Sequence, residues 1–236
     1  MNQNLLAGMK ASIPACLGVI PVGISVGLLA MQAGLSSAEA ILMSVMVMAG
    51  SAQLMSISMI AQGAAVSAII LGTFFINIRH VVMSSSVMRR INESTLPQRL
   101  VGAFALCDES FAIYSLSKNT SYLFLLGANT ALYIAFVGST VIGCFMTGFL
   151  PQIVMDSFGI AFYAAFLGLL LPSIKHNTRI ILLVGITAML NWLLQHLIPA
   201  SWSVVLSMVL GALIGVFLAE DKSADDKGDG KGEGSV

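Results

Sequence analysis

A chain of 236 residues that is 57% hydrophobic and only 9% charged, with a mean hydropathy of +0.93, is a polytopic membrane protein and not a soluble domain. Soluble domains carry about 25% charged residues. The formal net charge of zero hides an asymmetry: six acids and three lysines lie from Glu220 onward, leaving five acids and eight bases for residues 1–219.

The first apolar run, 11–30, follows Lys10 and contains Pro14 and Pro21. Its length and the further spans behind it mark a transmembrane helix, not a cleaved signal. Within it, Gly23-Ile-Ser-Val-Gly27 is a step of small residues that lets another helix approach closely.

The second run, 38–61, is interrupted by Ala49-Gly50-Ser51-Ala52-Gln53. Two readings fit. A helix break would offer free backbone groups in mid-membrane, whereas small residues alone would serve a tight helix crossing. The Gln53 amide needs partners at that depth in either case.

After the apolar run 64–71 comes Phe74-Phe75-Ile76-Asn77-Ile78-Arg79-His80. Asn77 and His80, three apart, share a helix face. Arg79 either ends a short helix and reaches for the headgroups or faces a polar partner inside the membrane. The uncharged stretch 81–88 that follows favours the second. Arg89, Arg90 and Arg99 bound a polar loop and mark a cytoplasmic side.

A fourth segment begins near Leu100 and meets Asp108-Glu109. Adjacent helical residues point about 100° apart, so one carboxylate can pair with Arg79 while the other faces a cavity. The alternative is a pair of acids at the water interface, because Lys118 and Asn119 soon follow. Asp156, after Pro151, fits a helix N-cap.

The remaining apolar stretches are 122–150, 158–171, 180–197 and 204–219. Gly211-Ala-Leu-Ile-Gly215 is another contact step, and Trp192 and His196 fit the membrane interface. The expected fold is all-α, a polytopic membrane helical bundle of seven to eight transmembrane segments. Eight is the count if every stretch spans, seven if 38–61 is re-entrant. Residues 1–219 form a single transmembrane domain, and 220–236 a disordered charged tail.

Cys16, Cys107 and Cys144 stand apart in apolar surroundings, and His80, His176 and His196 are scattered, with no HExxH or CxxC pattern. No metal or other cofactor is expected, and no nucleic-acid partner.

Three stretches in order, Gly50-Ser51-Ala52-Gln53, Asn77-Ile78-Arg79-His80 and Asp108-Glu109-Ser110-Phe111-Ala112, resemble the AzlC-type branched-chain amino-acid permease family. The resemblance covers about 10–219. The family more often has Gly-Ala-Ser-Gln-Phe at the first stretch and an aromatic residue where Met83 stands here. It implies export of branched-chain amino acids, in some members also methionine, across a bacterial inner membrane. It also implies a small hydrophobic AzlD-type partner subunit.

The leading functional reading is a secondary transporter in the lipid bilayer with a small-molecule amino-acid substrate. Gly50, Ser51, Gln53, Asn77, Arg79, His80, Asp108 and Glu109 are its candidate transport residues. Backbone groups freed near Gly50 would bind carboxylate and ammonium, and Asp108, Glu109 and His80 would carry protons. A different class is an intramembrane hydrolase with Ser51 as nucleophile and His80 as base, which would also need an oxyanion hole. A third is an assembly subunit without transport, disfavoured by the cost of buried charge.

Overall fold

Each of the two middle apolar segments is divided into a pair of short helices, and these divisions organise the fold. In the computed structural model, residues 3–91, 94–149, 151, 153, 157 and 178–225 are described. The expectations for Asp156, for the stretch 158–171 and for the tail from 226 fall outside them. Among the described residues there is no strand, and the chain is a helical membrane protein.

The helices are α1 (Gln3–Gln32), α2 (Ser37–Met46), α3 (Gly50–Ala61), α4 (Val66–Arg90), α5 (Leu96–Phe104), α6 (Asp108–Leu116), α7 (Tyr122–Met146), α8 (Thr178–Leu194) and α9 (Ala200–Asp225). Three of them, α1, α4 and α7, are long and apolar enough to cross a bilayer. The 25 residues of α4 or α7 reach past the roughly 30 Å hydrocarbon core at about 1.5 Å per residue. The chain divides into two compact units, Met1–Ala64 with Ile76–Tyr163 and Ala65–Phe75 with Ala164–Val236.

In the first unit α1 and α7 form the most extensive helix pair. The Gly23–Gly27 step serves this contact. A Cβ on Gly27 would lie 2.4 Å from the Thr140 carbonyl oxygen, and one on Gly23 2.7 Å from that of Phe136. Two backbones at that distance leave no room for any side chain.

The second segment stops being helical at residues 47–49. Val47 (φ −135°, ψ 104°) and Ala49 (φ −143°, ψ 81°) are extended, and Gly50 is the first residue of the new helix. The break thus comes just before the Gly50-Ser51-Ala52-Gln53 stretch. A break leaves the last carbonyls of α2 without intrahelical partners. Buried Gln53 adds a second donor to two carbonyls there: its Nε2 donates to those of Met43 (2.9 Å) and Val47 (2.6 Å), which also accept the Val47 and Ala49 N–H, and its Oε1 accepts from Ser44 Oγ (3.1 Å). Tyr133 Oη of α7 donates to the Val45 carbonyl at 2.7 Å, and Ser44 Oγ meets Thr140 Oγ1 at 3.0 Å.

The fourth segment, expected to run on from Leu100 through Asp108, is corrected by the structure. It breaks at residues 105–107, and Asp108 opens a separate helix. The Cys107 N–H donates to Ser110 Oγ (3.0 Å), an N-terminal cap, and Asn129 Nδ2 of α7 donates to the Gly102 carbonyl at 2.9 Å. Both broken helices begin with a capping box, Ser36 with Glu39 and Thr95 with Gln98.

In the second unit α8 and α9 pack against each other. Gly211 meets the Thr187 side chain, 2.7 Å from where its Cβ would be, and Ser203 Oγ donates to Asn191 Oδ1 at 2.6 Å. The last helix continues to Asp225, past the expected start of the charged tail at 220.

Candidate functional site

Arg79 lies midway along α4, which continues to Arg90, so it does not end a helix. Its Nη1 pairs with Asp108 Oδ2 at 2.9 Å, and its Nη2 donates to Ser51 Oγ. One guanidinium therefore joins the first turns of the two half-helices α3 and α6. Asp108 also profits from its position, because a carboxylate in the first turn faces the positive end of the helix dipole. Glu109, half-buried beside it, takes no part in the ion pair.

The side chains of Arg79 and Asp108 keep 38% and 48% of their surface free of protein. Hydrocarbon against that surface would cost several kcal/mol, on the order of 2.5–3.5 for a mid-membrane charge. Water or another polar group against that free surface would spare the pair this cost.

Beside this pair is a cleft of about 210 Å³. One wall is the first break, residues 46–49. The other is the end of α5 and the second break, with Ala103, Phe104 and Leu106, and α4 contributes Asn77 and His80. The cleft thus combines apolar walls with two polar side chains from one helix face. Its size is below the roughly 300–1,000 Å³ of drug-sized ligand pockets and suits a small molecule.

Two polar atoms here are buried without a hydrogen-bond partner, Asn77 Oδ1 and Arg79 Nε. An unsatisfied buried group costs about 1–3 kcal/mol. The N-cap of α3 is Ala49, which has no capping side chain, so the first amides of α3 are open at the rim of the cleft.

Of the eight candidates from the sequence, Asn77 and His80 line the cleft, while Ser51, Arg79 and Asp108 form the bridge next to it. Gly50 does not line it. A Cβ there would meet Val22 Cγ1 at 3.0 Å and Phe136 Cε2 at 3.4 Å, so glycine at 50 permits close packing behind the break. Gln53 spends its amide within the break. Sequence reasoning missed the apolar wall residues and the second break. Acids at 108 and 109 followed by Ser110, a first-turn signature, were the available signal. Among the described residues no cluster of His, Cys, Asp and Glu could hold a metal ion.

The model of the AzlC protein family matches residues 14–150, more than half of the chain and all of the elements from the middle of α1 to the end of α7. The chain belongs to the AzlC family. This AzlC-family protein is 35% identical over 170 residues to a protein of Archaeoglobus fulgidus named "Uncharacterized membrane protein", covering 71% of this chain and 75% of that one. It is 28% identical over 179 residues to the Escherichia coli (strain K12) "Inner membrane protein YgaZ", covering 73% and 71%. No solved structure matches it. The family match contains every residue of the cleft and of the Arg79 bridge.

Proposed function

We infer that this AzlC-family protein is a secondary transporter that exports small neutral amino acids, branched-chain ones and methionine, across the bacterial inner membrane. The observation that carries the reading is the cleft between two broken helices, lined in part by Asn77 and His80, with a charged bridge at its side. A zwitterion matches such a place. Its ammonium group supplies the donors that Asn77 Oδ1 lacks, and its carboxylate suits the open amides of α3 and the guanidinium of Arg79. Met46, Met48, Phe104 and Leu106 offer an aliphatic side chain an apolar wall.

Asp108 and His80 are the groups we assign to proton coupling, since both stand at or beside the cleft and each changes charge with one proton. Glu109, next to Asp108, is a second carboxylate for that role. The inner-membrane location is supported by the name of the E. coli relative. A small hydrophobic AzlD-type subunit, implied by the family resemblance, completes the proposed exporter.

One observation weighs against a hydrolase built on Ser51 and His80. Ser51 Oγ accepts the Arg79 guanidinium N–H, which lowers its value as a nucleophile. The test is amino-acid efflux from cells loaded with dipeptides of leucine, valine, isoleucine or methionine, with and without the gene. Faster efflux with the gene supports export, and identical efflux with and without it, with the protein and an AzlD-type partner present in the membrane, refutes it.

A further inference from the structure

Arg90, on the same helix as Arg79 and about three turns beyond it, lies outside the cleft and bonds through both of its Nη groups. Its guanidinium donates to the carbonyl oxygens of Ser115 (2.8 Å), Ser117 (3.2 Å) and Tyr114 (3.5 Å), and its central carbon lies 5.5 Å from the centre of the Tyr114 ring. These are carbonyls at the C-terminal end of α6 and its cap, where the negative end of the helix dipole lies; that of Tyr114 also accepts the Ser117 N–H.

α6 is therefore held at both ends by α4, at its first residue through Arg79 and Asp108 and at its last turn through Arg90. Between the two ties, Met83 and Val87 of α4 share an apolar cluster with Phe111 and Tyr114 of α6. The spacing fits. Eleven residues of α4 rise about 16 Å, and α6, nine residues, rises about 13 Å. α7 holds both walls: Asn129 takes the Gly102 carbonyl and Phe124 and Leu125 join the same apolar cluster on this side, while Tyr133 and Thr140 tie α2 on the other, where Gln53 holds the break.

We propose that Arg90 is a positioning residue of the transport cleft. It fastens the last turn of α6 to α4 and so holds Asp108 and the second break in place beside Asn77 and His80. Arg90 touches no substrate. The contribution to transport rests on the exporter reading above, but the mechanical part does not.

The experiment places single cysteines on the two walls, Ala49→Cys on the first break and Ala103→Cys at the end of α5, next to the second. The background has Cys16, Cys107 and Cys144 replaced by serine. Alkylation by a small methanethiosulfonate is followed in membranes. Arg90→Ala is expected to speed alkylation at position 103 at least about fivefold, as for a locally opened element, while position 49 stays within about twofold. Arg90→Lys, which keeps the charge but not the fork of donors, falls between. Without reporter cysteines, Arg90→Ala raises the substrate concentration for half-maximal efflux, and Arg90→Lys recovers part of the loss. Equal changes at both positions, or none, in Arg90→Ala or Arg90→Lys make Arg90 a general helix cap and overturn the proposal. Selective opening at 103 in a protein that exports no amino acid keeps the clamp and overturns the exporter reading instead.

Discussion

Replacing Gln53 by glutamate changes one atom group and tests how the first break is held. In the native protein two N–H donors of Gln53 face the carbonyl oxygens of Met43 and Val47 at 2.9 and 2.6 Å, and its oxygen accepts from Ser44. A protonated glutamate keeps one O–H donor for those two carbonyls and sets a lone pair of the hydroxyl oxygen against the second, while its carbonyl oxygen still accepts from Ser44. Both carbonyls retain a backbone donor, Val47 N–H and Ala49 N–H respectively, so the penalty is that of one lost hydrogen bond plus one repulsive contact. That is about 1–3 kcal/mol. An ionised glutamate at a site 2% exposed costs considerably more. Stability therefore falls as pH rises through the pKa of the introduced carboxyl, a direction native Gln53 cannot show. Gln53→Leu, lacking the repulsive oxygen, is expected to be milder. Thermal unfolding in detergent, followed between pH 5 and 8 (the range about the usual stability maximum), reads this. A Gln53→Glu protein that melts with the wild type at every pH would falsify the stapled break.

Asp108→Asn leaves Arg79 without its anionic partner. Efflux driven by a pH gradient is expected to fall about tenfold or more while the protein still inserts, as for loss of a charged partner in a transport pathway; unchanged pH-driven efflux contradicts the role given to Asp108. Gly50→Leu forces a side chain against Val22 and Phe136, at about 1–3 kcal/mol for overpacking, and displaces the first break. Efflux should be lost with the protein still inserted and folded, which transport and size-exclusion assays check together. Removal of residues 221–236 is expected to leave efflux unchanged, since that segment holds no apolar residue besides Ala224 and the terminal Val236. A truncated protein at normal membrane level with collapsed efflux contradicts this.

How far the site was legible depended on charge and polarity. Arg79, Asp108 and Glu109 stood out because each is a charge in apolar sequence, and a buried charge requires a partner; a pair of Arg79 with one of the two acids was legible in the sequence, and the structure gives it to Asp108. The stretch Ala49-Gly50-Ser51-Ala52-Gln53 left a break and a tight crossing both open, and the break falls at residues 47–49, sharing only Ala49 with it. The non-helical residues are Val47, Met48 and Ala49, whose side chains give no turn signal, and the polar residue that holds the break reaches back from the next helix. The second break was not foreseen because Ala105-Leu106-Cys107 contains neither glycine nor proline. Its cause is tertiary: Asn129 of α7 takes up the Gly102 carbonyl, and Ser110 caps the new helix. Met46, Met48 and Phe104 look like lipid-facing residues in sequence, and only the juxtaposition of the two breaks turns them into walls of a cleft.

The central claim is that the substrate passes through the cleft between the two breaks. Its most direct test is to fill that cleft with Ala103→Trp and measure leucine efflux from dipeptide-loaded cells at matched membrane levels of protein. An indole adds a bulk comparable with much of a cleft of about 210 Å³. The account predicts that efflux falls to the level of cells lacking the gene, while thermal stability in detergent stays close to wild type. Wild-type efflux from a stably inserted Ala103→Trp protein would contradict it.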